Sequence, residues 1–275
     1  MYELPEIETV RRDLDKEISG KKVKSVDVSS NAAIPHHRTR KDFTGALDGV
    51  KVGTVRRRGL LLTVDLPEDQ LLLIQLGDGT TIRRAANKDA DIDGTVVVIT
   101  FTQGGQLRLV DPDGNARMAV IGADELAELH PELATLGLDP VEEPISWVEF
   151  GRRVLPRTDK LKSLLTNPEF VVGIGPVYSD EILHHALLRG GRKANDLTNQ
   201  EVRRLYRALV ETIHNGIKYR GASATGYVDV FGEPGGFDEY VEVYDRAGER
   251  SRNGRGEVLK AKVDGKVHFY SDYQV

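Results

Sequence analysis

The chain opens with MYELPEIETVRR (Met1–Arg12), in which polar residues alternate with apolar residues at helical spacing. Pro5 suits the first turn of a helix, where its missing N–H breaks no hydrogen bond. Apolar residues then recur every three or four positions, at Ile7, Val10, Leu14 and Ile18. Gly20 follows as a stop signal, so the pattern predicts an amphipathic helix within residues 1–20.

From about Lys22 to Val120 the helical period is replaced by short apolar runs between turn residues. The clearest runs are Val52–Val55, Leu60–Leu66, Leu71–Leu76, Thr95–Phe101 and Leu107–Val110. Strands that are apolar on both faces are typical of a core between packed sheets. This part of the chain predicts an antiparallel β-sandwich of six or more strands.

The second half returns to helical periods. Four helices are predicted, at Trp147–Leu155, Lys160–Leu165, Pro176–Leu188 and Asn199–Tyr219. A glycine-rich loop follows over 221–236, and the last 35 residues predict two strands. Asp264-Gly265, between those strands, is a dipeptide that favours a tight hairpin turn.

Composition excludes several classes of protein. The 275 residues include no cysteine, which removes disulfides, thiolate nucleophiles and cysteine-ligated metal sites. No apolar run is long enough for a membrane helix, and residues 1–20 lack a secretory signal, so we expect a cytoplasmic protein. The net charge is −5, yet residues 151–220 contain 13 Lys and Arg against 7 Asp and Glu. Positive charge is therefore concentrated in the helical region.

The opening residues resemble the start of the formamidopyrimidine-DNA glycosylase/endonuclease VIII (Fpg/Nei) family. Further resemblances follow in the family order along nearly the whole chain. They include Val55–Gly59, Leu76-Gly77, Asp111-Pro112, Leu161-Lys162, Val172–Gly175 with Tyr178, and Val243-Tyr244. The resemblance implies an α+β multidomain fold and a protein that acts on double-stranded DNA near the nucleoid.

The implied domains agree with the element pattern. Residues 1–122 would form an N-terminal helix with a β-sandwich, and 123–145 an acidic linker. Residues 146–236 would form a helix–two-turn–helix DNA-binding domain, and 237–275 a β-hairpin finger. The family finger holds zinc through cysteines, whereas this chain has Ser251 and Gly254 at the first pair and Tyr270, Ser271 and Tyr273 around the second. We therefore expect a zincless finger held by packing, with no metal and no cofactor.

The resemblance also implies a reaction. The family attacks sugar C1′ of a flipped-out nucleotide with an N-terminal proline amine, forming a Schiff base that expels the damaged base. A neighbouring glutamate acts as general acid and base, and a turn lysine assists. Carried onto this chain, the catalytic positions are Met1, Tyr2 and Glu3. We expect Met1 to remain, because the initiator is normally trimmed only before small residues.

Several positions depart from the family pattern. Tyr2 replaces the proline, and Leu60 replaces the turn lysine and cannot carry a proton. Asp78 replaces a gap-filling methionine, and Pro176 replaces an asparagine that grips phosphate. Lys266 replaces the finger arginine, which keeps the charge but loses the bidentate fork.

Candidate DNA contacts follow from the same register. They are Arg56, Arg57, Arg58, Lys162, Gly173, Gly175, Tyr178, Arg220, Tyr227 and Lys266. Each also has an ordinary structural explanation, such as a solvated strand edge for the arginines or a plain turn for the glycines. The helix start after Gly175 could offer backbone N–H groups to a phosphate.

Three functions remain open from the sequence. The favoured one is a DNA-binding protein that resembles a base-excision-repair DNA glycosylase and abasic-site lyase for oxidised bases, with weak or lost catalysis. The second is an active bifunctional glycosylase that uses the N-terminal amine. The third is a protein-interaction scaffold with no role on DNA. We expect a monomer in each case.

Overall fold

The computed structural model describes residues 2–224, 226–252, 254 and 256–275, whose contacts fall into two compact units. The first unit comprises Tyr2, Glu6–Ala134 and Arg220–Gly235. The second comprises Glu3–Pro5, Thr135–Tyr219 and Gly236–Val275.

Within the described residues, the secondary structure follows the order expected from the sequence. The helices are α1 (Leu4–Ile18), α2 (Arg40–Leu47), α3 (Leu126–Leu129), α4 (Trp147–Val154), α5 (Leu161–Leu165), α6 (Pro176–His185) and α7 (Asn199–Lys218). The strands are β1 (Val23–Val28), β2 (Val55–Arg58), β3 (Leu61–Leu66), β4 (Gln70–Gln75), β5 (Thr81–Ala85), β6 (Thr95–Phe101), β7 (Gln106–Val110), β8 (Arg117–Gly122), β9 (Val258–Val263) and β10 (Lys266–Ser271).

The first unit is a sandwich of two four-stranded antiparallel sheets, as predicted. One sheet has the order β1-β6-β7-β5 and the other β2-β3-β4-β8. The predicted strand at Val52–Val55 is wrong apart from its last residue. Val52 instead exchanges backbone hydrogen bonds with the turn after α1, donating to Lys21 and accepting from Gly20.

Helix α2 was not predicted, although the sequence carries its start signal. The Thr39 hydroxyl accepts from the Asp42 N–H, and the Asp42 carboxylate accepts from the Thr39 N–H. This capping box satisfies two donors at the helix start, and Phe43 and Leu47 bury the inner face. Residues 123–145, expected to be an acidic linker, contain α3 and short 3₁₀ turns.

The second unit contains α4 to α7 and the β9–β10 hairpin. Helix α7 begins with a capping box formed by Thr198 and Glu201. The predicted hairpin is confirmed, with Lys266 paired to Val263 across Asp264-Gly265. Among the described residues, no helix combines the length and apolarity needed to cross a membrane.

A buried ion pair lies inside the first unit between α1 and β2. The Glu8 carboxylate accepts from Arg57 Nε at 2.7 Å, and both side chains are almost fully buried. Arg11 and Arg12 also donate to Glu8, at 2.9 and 2.7 Å. Burial raises the pKa of Glu8, but the arginine hydrogen bonds outweigh it and lower that pKa to about 2. Charged Glu8 therefore stabilises the fold at neutral pH.

Replacing Glu8 with Gln should lower the free energy of unfolding by about 3–5 kcal/mol at pH 7, because Arg57 would stay buried without its counter-charge. The wild-type advantage should persist above the unfolded-state pKa of about 4.5 and shrink as pH falls towards about 2. Urea unfolding of both proteins at pH 7, 5, 4 and 3 measures this.

Arg56→Ala is the matched control, because the neighbouring Arg56–Asp65 pair is largely exposed. It should change the stability by less than about 1 kcal/mol. A Glu8→Gln penalty that stayed constant between pH 7 and 3 would contradict the assigned ion pair.

Candidate functional site

The opening residues Glu3 and Leu4 are bonded to the segment that leads into α6. The Leu4 N–H donates to the Gly173 carbonyl at 2.7 Å, and Gly173 adopts φ of 65°, a conformation that favours glycine. Gly175 is the N-cap of α6 and Pro176 its first residue. The Gly-Ile-Gly sequence therefore forms the bend that brings the chain opening to the helix start.

The Glu3 carboxylate caps α6. It accepts from the N–H groups of Gly175 at 2.6 Å, Val177 at 2.9 Å and Tyr178 at 3.3 Å. Glu3 is 2% exposed, and a carboxylate at a helix N-terminus is stabilised by the unpaired N–H groups and the helix dipole.

This cap leaves no room for a phosphate at the same place. Pro176 has no N–H, Val177 and Tyr178 donate to Glu3, and the Ser179 N–H donates to the Gly175 carbonyl. The Gly175 N–H is thus held by an internal carboxylate, and Gly173 contributes its carbonyl to Leu4. The DNA contacts expected at Gly173 and Gly175 stay predictions.

Two further predicted DNA contacts, Lys162 and Tyr178, are interior side chains. Lys162 is 1% exposed, and its ammonium donates to Asp180 at 2.6 Å, Ser179 Oγ at 2.8 Å and the Pro176 carbonyl at 3.2 Å. Burial lowers the pKa of Lys162, while the adjacent Asp180 carboxylate acts in the opposite direction. Tyr178 is fully buried against Phe237, with ring centroids 5.1 Å apart. Both side chains are buried and bonded or packed internally, so the structure gives no support to the DNA contacts expected at Lys162 and Tyr178.

The three arginines of β2 alternate between surface and interior. Arg56 and Arg58 are exposed, whereas Arg57 is bound to Glu8 inside the first unit. The predicted DNA contact of Arg57 has no support from this geometry, because its charge is neutralised internally. For Arg56 and Arg58 it stays a prediction.

The turn after β2 carries the expected aliphatic residue. Arg58 pairs with Leu61, so Gly59 and Leu60 form a two-residue hairpin loop in which Gly59 adopts φ of 62°. Leu60 is 37% exposed. The Leu60 side chain therefore reaches solvent, but as an aliphatic group it cannot donate or accept a proton.

Tyr2 is anchored in the core of the first unit. Its hydroxyl donates to the Thr80 carbonyl at 2.8 Å, and its ring meets Tyr227 edge-on at 5.6 Å. Burial raises the pKa of Tyr2, and the Glu6 carboxylate adds to the effect. Met1, the third predicted catalytic position, lies outside the described residues.

Tyr227 and Arg220, predicted to lie in a DNA-contacting loop, serve structural roles. Tyr227 is 4% exposed and packs in the core, so it is not a surface contact. Arg220 forms ion pairs with Asp13 and Asp229, and the hydrogen bonds that it donates to these carboxylates raise its pKa. Both partners lie within the first unit, and the DNA contact expected at Arg220 stays a prediction.

The hairpin carries an exposed lysine beside an exposed ion pair. Lys266 is exposed and donates to Thr166 Oγ1 at 2.5 Å. At the turn, Asp264 accepts from Lys160 Nζ and Ser163 Oγ, both at 2.6 Å. The predicted DNA contact by Lys266 stays a prediction, and the geometry leaves its charge at the surface.

The residues at the expected zinc positions do not fit that metal. Ser251 and Ser271 are buried and take part in local hydrogen bonds, and neither offers a thiolate or imidazole. Ser271 donates its N–H to Gln274 Oε1 at 2.7 Å. Across the described residues, no group of three His, Cys, Asp or Glu is placed to hold a metal ion.

Sequence reasoning missed two residues that organise the second unit. His268 reaches Asp180 with Nδ1 at 2.6 Å. Glu181 is fully buried and accepts from the N–H groups of residues 242–244 at 2.8–2.9 Å. Burial raises the pKa of Glu181 to about 7, against the effect of those three donors. Both contacts depend on tertiary packing and leave no periodic signal in the sequence.

Two family models match this chain. The formamidopyrimidine-DNA glycosylase N-terminal domain matches residues 1–118, and the H2TH domain of the same glycosylase matches residues 136–227.

Relatives match over nearly their whole length. The formamidopyrimidine-DNA glycosylase of Heliobacterium modesticaldum is 34% identical over 98% of both chains, and that of Pelotomaculum thermopropionicum is 31% identical over 98% of this chain and 97% of its own. A solved complex of Lactococcus lactis Fpg with abasic-site DNA is similar with a TM-score of 0.85, at 25% identity over 98% of this chain and 97% of that one.

Gly175→Ala should displace Glu3 from the start of α6, because an added Cβ would lie 2.6 Å from the Glu3 carboxyl carbon. Buried N–H groups would lose their acceptor, and we expect the free energy of unfolding to fall by about 1–3 kcal/mol. Chemical denaturation at pH 7 measures the change.

Gly191→Ala is the matched control, since nothing lies within 4 Å of its added Cβ. It should leave the stability within about 0.5 kcal/mol of the wild type. Equal stabilities for the two variants would count against the Glu3 cap.

Proposed function

The chain belongs to the formamidopyrimidine-DNA glycosylase family, and on that basis we propose that it binds duplex DNA at damaged or abasic sites while its base-excision chemistry is weak or lost. We propose that it acts as a monomer, with the domain limits given above. The proposal rests above all on three positions where the family reaction needs a reactive group, namely Tyr2, Glu3 and Leu60.

Tyr2 occupies the position of the family's reactive proline. A nucleophilic amine must approach the sugar carbon freely, yet the Tyr2 side chain is fixed by its ring packing and by its bond to Thr80. With Met1 retained, the free amine would also lie one residue further from Glu3. Both features argue against an efficient Schiff-base step.

Leu60 removes the second reactive group. The turn itself is kept, with its left-handed glycine and its exposed tip, but the side chain at that tip is apolar. General acid–base assistance contributes roughly 10²–10⁴-fold to the rate of such reactions. A turn that has lost its ammonium cannot supply that factor.

Glu3 is retained, but its bonding suits a structural role. A general acid must present a proton, whereas the Glu3 carboxylate receives three backbone N–H bonds from the start of α6. Both carboxylate oxygens are engaged by these donors. Retention of Glu3 is thus explained by the cap without any catalytic demand.

DNA binding is supported by exposed positive charge and by the family. Arg56, Arg58 and Lys266 present charge at the surface, and residues 151–220 are rich in lysine and arginine. The similar Lactococcus lactis Fpg has been solved with DNA that contains an abasic site. Duplex DNA is therefore the partner that we propose.

The affinity for a short duplex with a central abasic-site analogue should fall steeply between about 50 and 200 mM salt, because phosphate contacts release counterions. Lys266→Ala removes one expected phosphate contact, so the slope of log K against log salt should become shallower by about 1. Lys24→Ala, an exposed lysine of β1 outside the predicted contacts, is the control and should leave the slope unchanged. Affinity that does not respond to salt, or no binding at all, would refute DNA binding as the function.

Borohydride should trap little or no covalent complex between the wild-type protein and an abasic-site duplex, because the amine and turn-lysine groups are altered. An active family member assayed in parallel provides the positive control, and intact mass establishes whether Met1 is retained. Efficient trapping together with excision of oxidised purines would contradict the proposed loss of catalysis.

A further inference from the structure

A buried carboxylate connects three elements of the second unit. Asp180 of α6 has no exposed surface, and its Oδ1 lies 2.6 Å from both Lys162 Nζ of α5 and His268 Nδ1 of β10. Its Oδ2 accepts from the Phe269 N–H at 3.0 Å. One side chain thus holds a lysine and a hairpin strand at the same time.

The hydrogen bonds of His268 define its tautomer. Nε2 accepts from the Gly190 N–H at 3.0 Å, so it carries no proton, and Nδ1 must be the nitrogen that donates to Asp180. The ring lies nearly parallel to Tyr270, with centroids 5.2 Å apart. A Cβ on Gly190 would lie 3.0 Å from both His268 Nε2 and the Lys162 Cβ, so glycine leaves the space that this packing needs.

The network is fully satisfied by its own members. Lys162 directs its ammonium to Asp180, Ser179 and the Pro176 carbonyl, and its positive charge compensates the buried carboxylate. Buried polar networks of this kind fix one arrangement when every donor has a partner. The β9–β10 hairpin needs such support, because an isolated two-stranded hairpin is marginally stable in water.

The hairpin has another polar attachment at its turn, and this one is exposed. Asp264 meets Lys160 and Ser163 at the turn, where both charged side chains are more than 40% exposed. Exposed pairs contribute little to holding a structure. Apolar packing of Val258 and Phe269 on Val243 adds to the hold on the hairpin. Of the two polar attachments, the buried one at His268 is the stronger, and it lies on β10, which begins at Lys266.

We propose that Asp180 and His268, charge-balanced by Lys162, are positioning residues that hold the hairpin so that Lys266 contacts the DNA backbone. The family uses zinc to hold its finger, and the residues of this chain do not fit that metal. The inference rests on the proposed DNA binding. His268 would thus place the phosphate contact of Lys266, two residues earlier on the same strand.

The test is a double-mutant cycle between His268 and Lys266, read as affinity for the abasic-site duplex. Two substitutions at His268 separate its two bonds. His268→Asn places an amide near the position of Nδ1 and can still donate to Asp180, whereas His268→Gln can accept from Gly190 but loses the donor to Asp180. Lys266→Ala is introduced into each protein.

We expect Lys266→Ala to weaken binding roughly 5–10-fold in the wild type, the scale of one phosphate contact. In the His268→Gln background the same change should weaken binding less than about 2-fold, and in the His268→Asn background most of the wild-type effect should return. Hydrogen exchange of the β9–β10 amides should rise in His268→Gln only. Thermal unfolding checks that each variant is folded, and should His268→Gln fail to fold, Asp180→Asn replaces it in the cycle.

Equal losses from Lys266→Ala in all three backgrounds would overturn the positioning role, and so would the absence of any loss in the wild type. A wild-type protein that does not bind the duplex would instead refute the proposed function, and the positioning role with it. The ¹⁵N shifts of His268 give a separate check, since a protonated Nε2 would contradict the assigned hydrogen bonds.

Discussion

The bond between the Glu3 carboxylate and the start of α6 is the constraint on which much of the second unit depends. It accounts for Gly175, whose place next to the carboxyl group leaves no space for a side chain. It also satisfies the first N–H groups of the helix, because Val177 and Tyr178 donate to Glu3 and Pro176 has no N–H to satisfy. Helix α6 then carries Asp180 and Glu181, whose carboxylates hold the hairpin and residues 242–244. The Glu3 cap thus stabilises the start of α6, and α6 in turn binds β10 and residues 242–244.

The retention of family residues in this chain has a structural explanation. Glu3, Lys162 and Arg57 all match positions that the sequence links to chemistry or DNA, yet each makes buried bonds that its loss would leave unpaired. Removing one partner of a buried polar pair exposes the other to a desolvation penalty. Tyr2 and Leu60 differ from the family pattern, and Tyr2 too makes a buried hydrogen bond, to the Thr80 carbonyl. Residue identity at the positions of the family's reactive groups therefore reports on folding as much as on catalysis.

The sequence predicts the elements better than the roles of their polar residues. Apolar periodicity is a local property, so the helices of the second unit and most strands follow from it. The capping box at Thr39 and Asp42 was a readable signal for α2. Period-two alternation could likewise have placed Arg57 on the buried face with Val55. The contact between Asp180 and His268 joins residues 88 positions apart, and no local pattern predicts it.

The hairpin is attached through the Asp180 carboxylate, the His268 ring and a backbone amide, and none of these is a thiol. Oxidants attack thiolates, and a cysteine-bound ion is released once its ligands become disulfides or sulfinates. The carboxylate of Asp180, the backbone amides and the cysteine-free sequence offer no thiol to that attack. The hairpin attachment through Asp180 and His268 therefore contains no thiol that a change in the redox state of the surroundings could alter.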